Sequence, residues 1–148
     1  PVLGHLYTTL YEAAPWGLTP ESGRERGLER ELEAGIENMK DLKKRGVRIL
    51  PGGDYGFAWN PNGRNARDIE HFVKLLGFSA SEAVIAATRL GGELMGLGDS
   101  LGQIKPGNLA DLLLVDANPL EDVGILQDKS KLLAIMKGGV FHKLPTRG

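Results

Sequence analysis

The chain has 148 residues, with 18 basic side chains, 19 acidic ones and no cysteine. That length supports one domain with a real core. The near-neutral balance, free of charge blocks, argues against nucleic acid and a membrane surface as partners, the apolar runs are too short to cross a bilayer, and disulfides and thiolate metal sites are excluded.

The start, Pro1-Val2-Leu3-Gly4-His5, lacks the basic region of a secretory signal and lacks an initiator Met. It reads as an internal starting point, processed or truncated, of a cytoplasmic protein. Residues 1–11 mix apolar and β-prone side chains, which predicts a short strand running into a loop through Ala14-Pro15-Trp16-Gly17. Thr19-Pro20-Glu21 is a helix entry, with Pro at the first helical position. Leu28, Leu32, Ile36, Met39 and Leu42 recur at spacings of three and four and make one apolar helix face; the opposite face is a solvated mix of Glu, Lys and Arg. Basic residues Lys40 to Arg45 suit the C-terminal end of that helix, and Gly46 suits the position after it.

Val47 to Leu50 reads as a short strand, broken by Pro51-Gly52-Gly53-Asp54-Tyr55-Gly56. Phe57 to Gly63 is a loop. Ile69, Phe72, Val73 and Leu76 form the stripe of a second helix, ended by Gly77. Ser79 and Glu82 form a capping box for a third helix, from about Ala80 to Leu90, interrupted by Gly91-Gly92. From Gly98 the character turns to β. A buried strand is expected over Leu112–Val115, a second over Leu132–Met136, then a tight turn at Lys137-Gly138-Gly139 into Val140-Phe141. The best boundary falls near Gly98. Residues 1–97 show the α/β alternation of a parallel sheet or barrel, and residues 98–148 are mostly β.

Asp54 is the strongest candidate for chemistry. It follows a short apolar run and sits among glycines, and in a barrel that is the end of a strand, where active sites are built. A turn Asp beside glycines fits the local string as well. Asn60, Asn62, Arg64 and Asn65 crowd the following loop, either facing a substrate or capping backbone. Phe57 and Trp59 either line a pocket or anchor the loop. His5, His71 and His142 belong to no metal-ligand pattern. His71 falls just off its helix stripe and reads as partly exposed. In a barrel His5 would fall at the end of the seventh strand, near the mouth, where a functional role is open to it.

Two strings carry a family resemblance. Residues Gly102 to Asp122, with Pro106-Gly107, Ala110-Asp111 and the run Leu112 to Val115, resemble the closing "G-x-I-x-P-G-x-x-A-D-L" segment of the metal-dependent amidohydrolase superfamily. Gly52-Gly53-Asp54-Tyr55-Gly56 resembles its "G-T-D-x-G" at the end of the eighth barrel strand. The motifs look most like the amidase, dipeptidase and imidazolone-hydrolysing branch. The resemblance implies the C-terminal part of a (β/α)8 TIM-like barrel over residues 1–97 and strands of a small β-sandwich domain over residues 98–148. It implies a hydrolase that cleaves amide or amidine C–N bonds of small or dipeptide-like substrates with metal-activated water. Asp54 would touch the divalent metal, zinc first among candidates, and shuttle a proton. Tyr55, Asn62 and Arg64 would face the substrate. Many relatives carry His-Gly where this chain has Asn62-Gly63, which argues against a further ligand there.

The family's His-x-His and its later Lys or Glu and His ligands are absent from these residues. A barrel needs about 250 residues. The chain alone is therefore expected to be inactive, and its open strand edges are expected to drive homo-oligomer formation. A non-catalytic α/β association domain is the alternative. A barrel hydrolase using Asp54 toward phosphate or sugar has neither a glycine-rich phosphate loop nor a paired carboxylate to support it.

Overall fold

The structure, a computed structural model, describes residues 2–145, and the chain divides between Phe78 and Ser79 into two compact units.

In the first unit the expected opening strand is a helix, α1 (Leu3–Tyr11). Thr and Tyr favour strands, but Leu3, Tyr7 and Leu10 stand at i, i+4 and i+7, and that period prevails because it buries Leu3 and Leu10 together. α1 packs against α2 (Pro20–Glu25), α3 (Leu28–Lys44) and α4 (Arg67–Lys74). Thr19 caps α2, its hydroxyl accepting from the Ser22 amide at 3.3 Å. α3 closes as a Schellman motif: Gly46 takes φ 77°, its amide reaches the Lys43 carbonyl, and the Val47 amide reaches the Leu42 carbonyl. The core of the unit is Leu3, Leu10, Ala13, Leu32, Ile49, Phe72 and Leu76.

Val47–Leu50 forms no ladder, against expectation. Among the described residues of this unit the one β pairing is the isolated bridge Phe57–Asn60. A strand is defined by a ladder with its neighbour, and residues 47–50 form none with the described residues of the unit.

The second unit opens with α5 (Ala80–Ala87), whose capping box is complete. The Ser79 hydroxyl accepts from the Glu82 amide at 3.2 Å, and the Glu82 carboxylate accepts from the Ser79 amide at 2.7 Å. Replacing Ser79 by Ala is expected to lower stability by about 1 kcal/mol, read from the urea midpoint at unchanged slope. The expected single helix over 80–90 breaks at Thr88, before the glycines, which lie inside α6 (Arg89–Leu94). Thr88 bonds back to the Val84 carbonyl at 2.7 Å, a contact that bends helices.

Residues 98–111 lead into an antiparallel sheet of order β1-β2-β3, with β1 Leu112–Val115, β2 Leu132–Lys137 and β3 Val140–Lys143. Each part of the closing motif has a mechanical role. Pro106-Gly107 makes a turn with Gly107 at φ 89°, closed by the Asn108 amide on the Lys105 carbonyl. The Asp111 carboxylate accepts from the Gly138 amide at 2.6 Å, and the Ala110 carbonyl from the Gly139 amide at 3.1 Å, so the motif holds the β2–β3 turn. Gly138 and Gly139 both have positive φ, as a two-residue hairpin turn of this kind requires. β1 is a strand, as expected, but it is not buried: Leu113 and Leu114 are more than half exposed. A strand apolar on both faces needs cover on both.

Candidate active site

The site is a cleft of about 320 Å³ in the first unit, lined by Pro51, Gly52, Gly53, Asp54, Tyr55, Asn62, Asn65 and Asp68. Three of the four predicted site residues, Asp54, Tyr55 and Asn62, come together here. Asp54 is exposed and has φ 52°, the one non-glycine residue with positive φ among the described residues. Asp tolerates this left-handed conformation better than most side chains, yet it still carries a cost.

The bend is held from two sides. On one side, Asn60 is fully buried, and its Nδ2 donates to the carbonyl oxygens of Gly53 and Asp54, both at 3.0 Å. On the other, Asp68 on α4 is buried to 5% exposure. Its Oδ1 accepts from the Tyr55 hydroxyl at 2.9 Å, and its carboxylate accepts from the Gly52 and Gly53 amides. Burial pushes the Asp68 carboxyl above the usual range, while those donors pull it back down. Burial, with Asp68 second, pushes the Tyr55 phenol well up.

Glycine is required beside this carboxylate. A Cβ on Gly53 would stand 2.6 Å from Asp68 Oδ1, and one on Gly4 of α1 would stand 2.7 Å from the same atom. Gly4→Ala is therefore expected to destabilise the protein by about 1–3 kcal/mol, as overpacking does, measured by chemical unfolding.

Arg64, the fourth predicted residue, does not line the cleft. Its Nη2 pairs with Glu12 Oε2 at 3.2 Å. Arg67 bonds the same carboxylate, and chiefly that bond holds Glu12 below its ordinary value. Phe57 and Trp59 anchor the loop. They stack at 5.3 Å, Trp59 Nε1 donates to Thr9 Oγ1 at 2.9 Å, and Phe57 lies 4.6 Å from the His5 ring. His5 thus packs on α1 against the loop aromatics. His71 is buried, correcting the expectation of partial exposure: its ring lies 4.9 Å from Tyr7, and its Nδ1 has no hydrogen-bond partner.

Sequence reading overlooked Asp68. It sits one position off the Ile69–Leu76 stripe, where an acid in a first helical turn looks like a favourable dipole contact. Asn60 was in view, and of its two readings the structure selects backbone capping.

As a metal ligand, Asp54 offers a hard, exposed carboxylate facing a cleft, which fits one position of a divalent site. Among the described residues no three His, Cys, Asp or Glu side chains converge, so this chain supplies no complete ligand set there. No helix of the described residues is long and apolar enough to cross a membrane.

Comparison with known proteins identifies the family. The model of the Amidohydrolase family matches residues 7–141. Ochratoxinase from Aspergillus niger is 32% identical over 131 residues, which cover 82% of this chain and 26% of that protein. Among solved structures, an amidohydrolase superposes with a TM-score of 0.80 at 28% identity, covering 99% of this chain and 34% of the other. A prolidase complexed with N-methylphosphonate-L-proline gives 0.80 at 26% identity, covering 97% and 34%. The crystal structure of the Aspergillus niger ochratoxinase gives 0.77 at 27% identity, covering 99% and 32%. The chain belongs to the amidohydrolase family. It spans about a quarter of the length of the curated relative.

Proposed function

We propose that the protein carrying this chain hydrolyses amide C–N bonds of small N-acyl amino acid or dipeptide substrates, with Asp54 as the carboxylate that takes the proton from the attacking water. The observation that carries this reading is an exposed carboxylate in a left-handed bend, clamped by Asn60 and Asp68 and facing a cleft. Glycine takes such a φ at lower cost, so a carboxylate kept there and turned to a cleft favours a chemical role.

In this reading Asp54 has two tasks. Its carboxylate would hold a divalent cation, zinc first among candidates, together with ligands that the described residues do not supply. The same carboxylate accepts a proton and returns it to the departing nitrogen. The cation, when bound, lowers the pKa of water and polarises the scissile carbonyl. Asn62 offers amide groups to a substrate at the cleft rim, and the Tyr55 ring edges the same cleft while its hydroxyl stays on Asp68. Arg64 spends an Nη2 donor on Glu12 and lies outside the cleft lining, so its remaining donors would reach a substrate carboxylate only beyond the cleft rim. The prolidase bound to a proline phosphonate supports the substrate class, since a tetrahedral anion on the proline nitrogen has the shape of water added to an Xaa-Pro amide.

Residues 1–97 would then be the last barrel units and residues 98–148 part of a small β-domain. The exposed apolar residues on both faces of the sheet, Leu113, Leu114, Val140 and Phe141, support a sheet covered by further chain, and support self-association when it is not. The chain by itself would be inactive. A panel of N-acyl amino acids, Xaa-Pro dipeptides, phosphate esters and glycosides tests the reading on the whole protein. Release of free amine from the first two classes is expected. Turnover confined to the esters or glycosides overturns it.

A further inference from the structure

We propose that Asp68 is a positioning residue: through Tyr55 and the amides of Gly52 and Gly53 it holds the Asp54 bend in the geometry that presents Asp54 to the cleft. The inference rests on the reading of Asp54 as the reacting carboxylate.

A helix position that only fills space takes an apolar side chain. A carboxylate at 5% exposure must instead be satisfied by donors, or it destabilises the fold. Three donors to Asp68 belong to residues 52, 53 and 55, which flank Asp54. α4 therefore reaches across the cleft and fastens the loop on both sides of its bend. Space for the carboxylate is kept clear by Gly4 and Gly53, where a Cβ would stand 2.7 and 2.6 Å from Oδ1. Asn60 completes the clamp from the carbonyl side. A non-glycine residue at φ 52° persists only where its surroundings over-determine it, and here they do. Ser or Thr in place of Asp68 would be too short to collect all three donors. Asn would set an NH₂ group against at least one of them.

The test compares Asp68→Asn, Tyr55→Phe, Asp54→Asn and the double variant Asp54→Asn/Asp68→Asn in the whole protein. Amide hydrogen exchange over residues 52–56 is measured alongside kcat and KM on a dipeptide substrate. With Asp68→Asn, exchange at Gly52 and Gly53 is expected to accelerate about tenfold while distant helices exchange as before. kcat should fall between about tenfold and a hundredfold, with KM within about twofold, because the reacting group is misplaced and binding is not. Tyr55→Phe should move both readouts the same way by less. The double variant should be no slower than Asp54→Asn alone, since Asp68 acts through Asp54.

Unchanged exchange over residues 52–56 in Asp68→Asn overturns the inference. So does a lowered Tm with the kcat of the folded enzyme intact, which makes Asp68 a stability residue. If Asp68→Asn does not fold, Tyr55→Phe decides: wild-type exchange and kcat there overturn the inference. If Asp54→Asn keeps its activity, the reading of Asp54 falls, and the exchange data still decide whether Asp68 holds the loop.

Discussion

Asp54→Asn in the whole protein is expected to lower kcat by about 10²–10⁴, the usual loss when a general base is removed. Folding should survive. Asp54 is exposed, and the bonds that hold its bend run through its backbone carbonyl and its neighbours, so its own carboxylate supports no core contact. Asn tolerates the left-handed conformation as Asp does, which keeps φ 52° accessible. It also keeps a carbonyl oxygen that can approach a cation, so most metal should be retained. What it lacks is the capacity to take a proton. The measurement is kcat, metal content and Tm on one preparation. Near-wild-type kcat would make Asp54 a turn residue. Unfolding would make its role structural.

The second large effect is on stability. Between pH 7 and pH 5 the protein is expected to lose about 2 kcal/mol through His71. Burial first, then the Arg67 guanidinium, lowers this imidazole to about 4, whereas in the unfolded chain it titrates near 6.5. As pH falls, the unfolded chain binds the proton first. The stabilisation is therefore complete above 6.5 and drains away as pH falls toward about 4. The groups that face His71 are Tyr7 on α1, Arg67, Glu70 and Lys74 on its own helix, and Glu12 just beyond α1. Glu12, held low mainly by Arg67, also loses stabilisation in acid, but below its ordinary value of 4.5. His71→Phe separates the two. Phe keeps the ring contact with Tyr7, removes the orphaned Nδ1, and should flatten urea midpoints between pH 7 and pH 5. A wild-type slope in His71→Phe would show that another group carries the pH dependence.

Much of the second unit was legible because its signals are local. A capping box, a Pro-Gly turn and a Gly-Gly hairpin each fix backbone geometry within a few residues, and Ser79, Pro106-Gly107 and Gly138-Gly139 all do what their chemistry requires. The first unit was harder where structure depends on distant partners. Residues 3–11 carry both a strand composition and a helical period, and what decides between them is packing on α2, α3 and α4, which the segment itself does not encode. Val47–Leu50 has the composition of a strand but forms no ladder with the described residues. That residue 54 stands at a bend was legible from its glycine neighbours. Asp68 was not, because its donors lie 13 to 16 positions away and its own surroundings look like an ordinary first helical turn.

The measurement that bears most directly on the central claim is release of free amine from an N-acyl amino acid or Xaa-Pro dipeptide by the whole protein. It is made before chelation, after chelation, and after a divalent cation is restored. The account predicts hydrolysis that is lost on chelation, returns with zinc or a similar ion, and is at least about a hundredfold slower in Asp54→Asn. Hydrolysis that persists through complete metal removal, or a near-wild-type rate in Asp54→Asn, would contradict it.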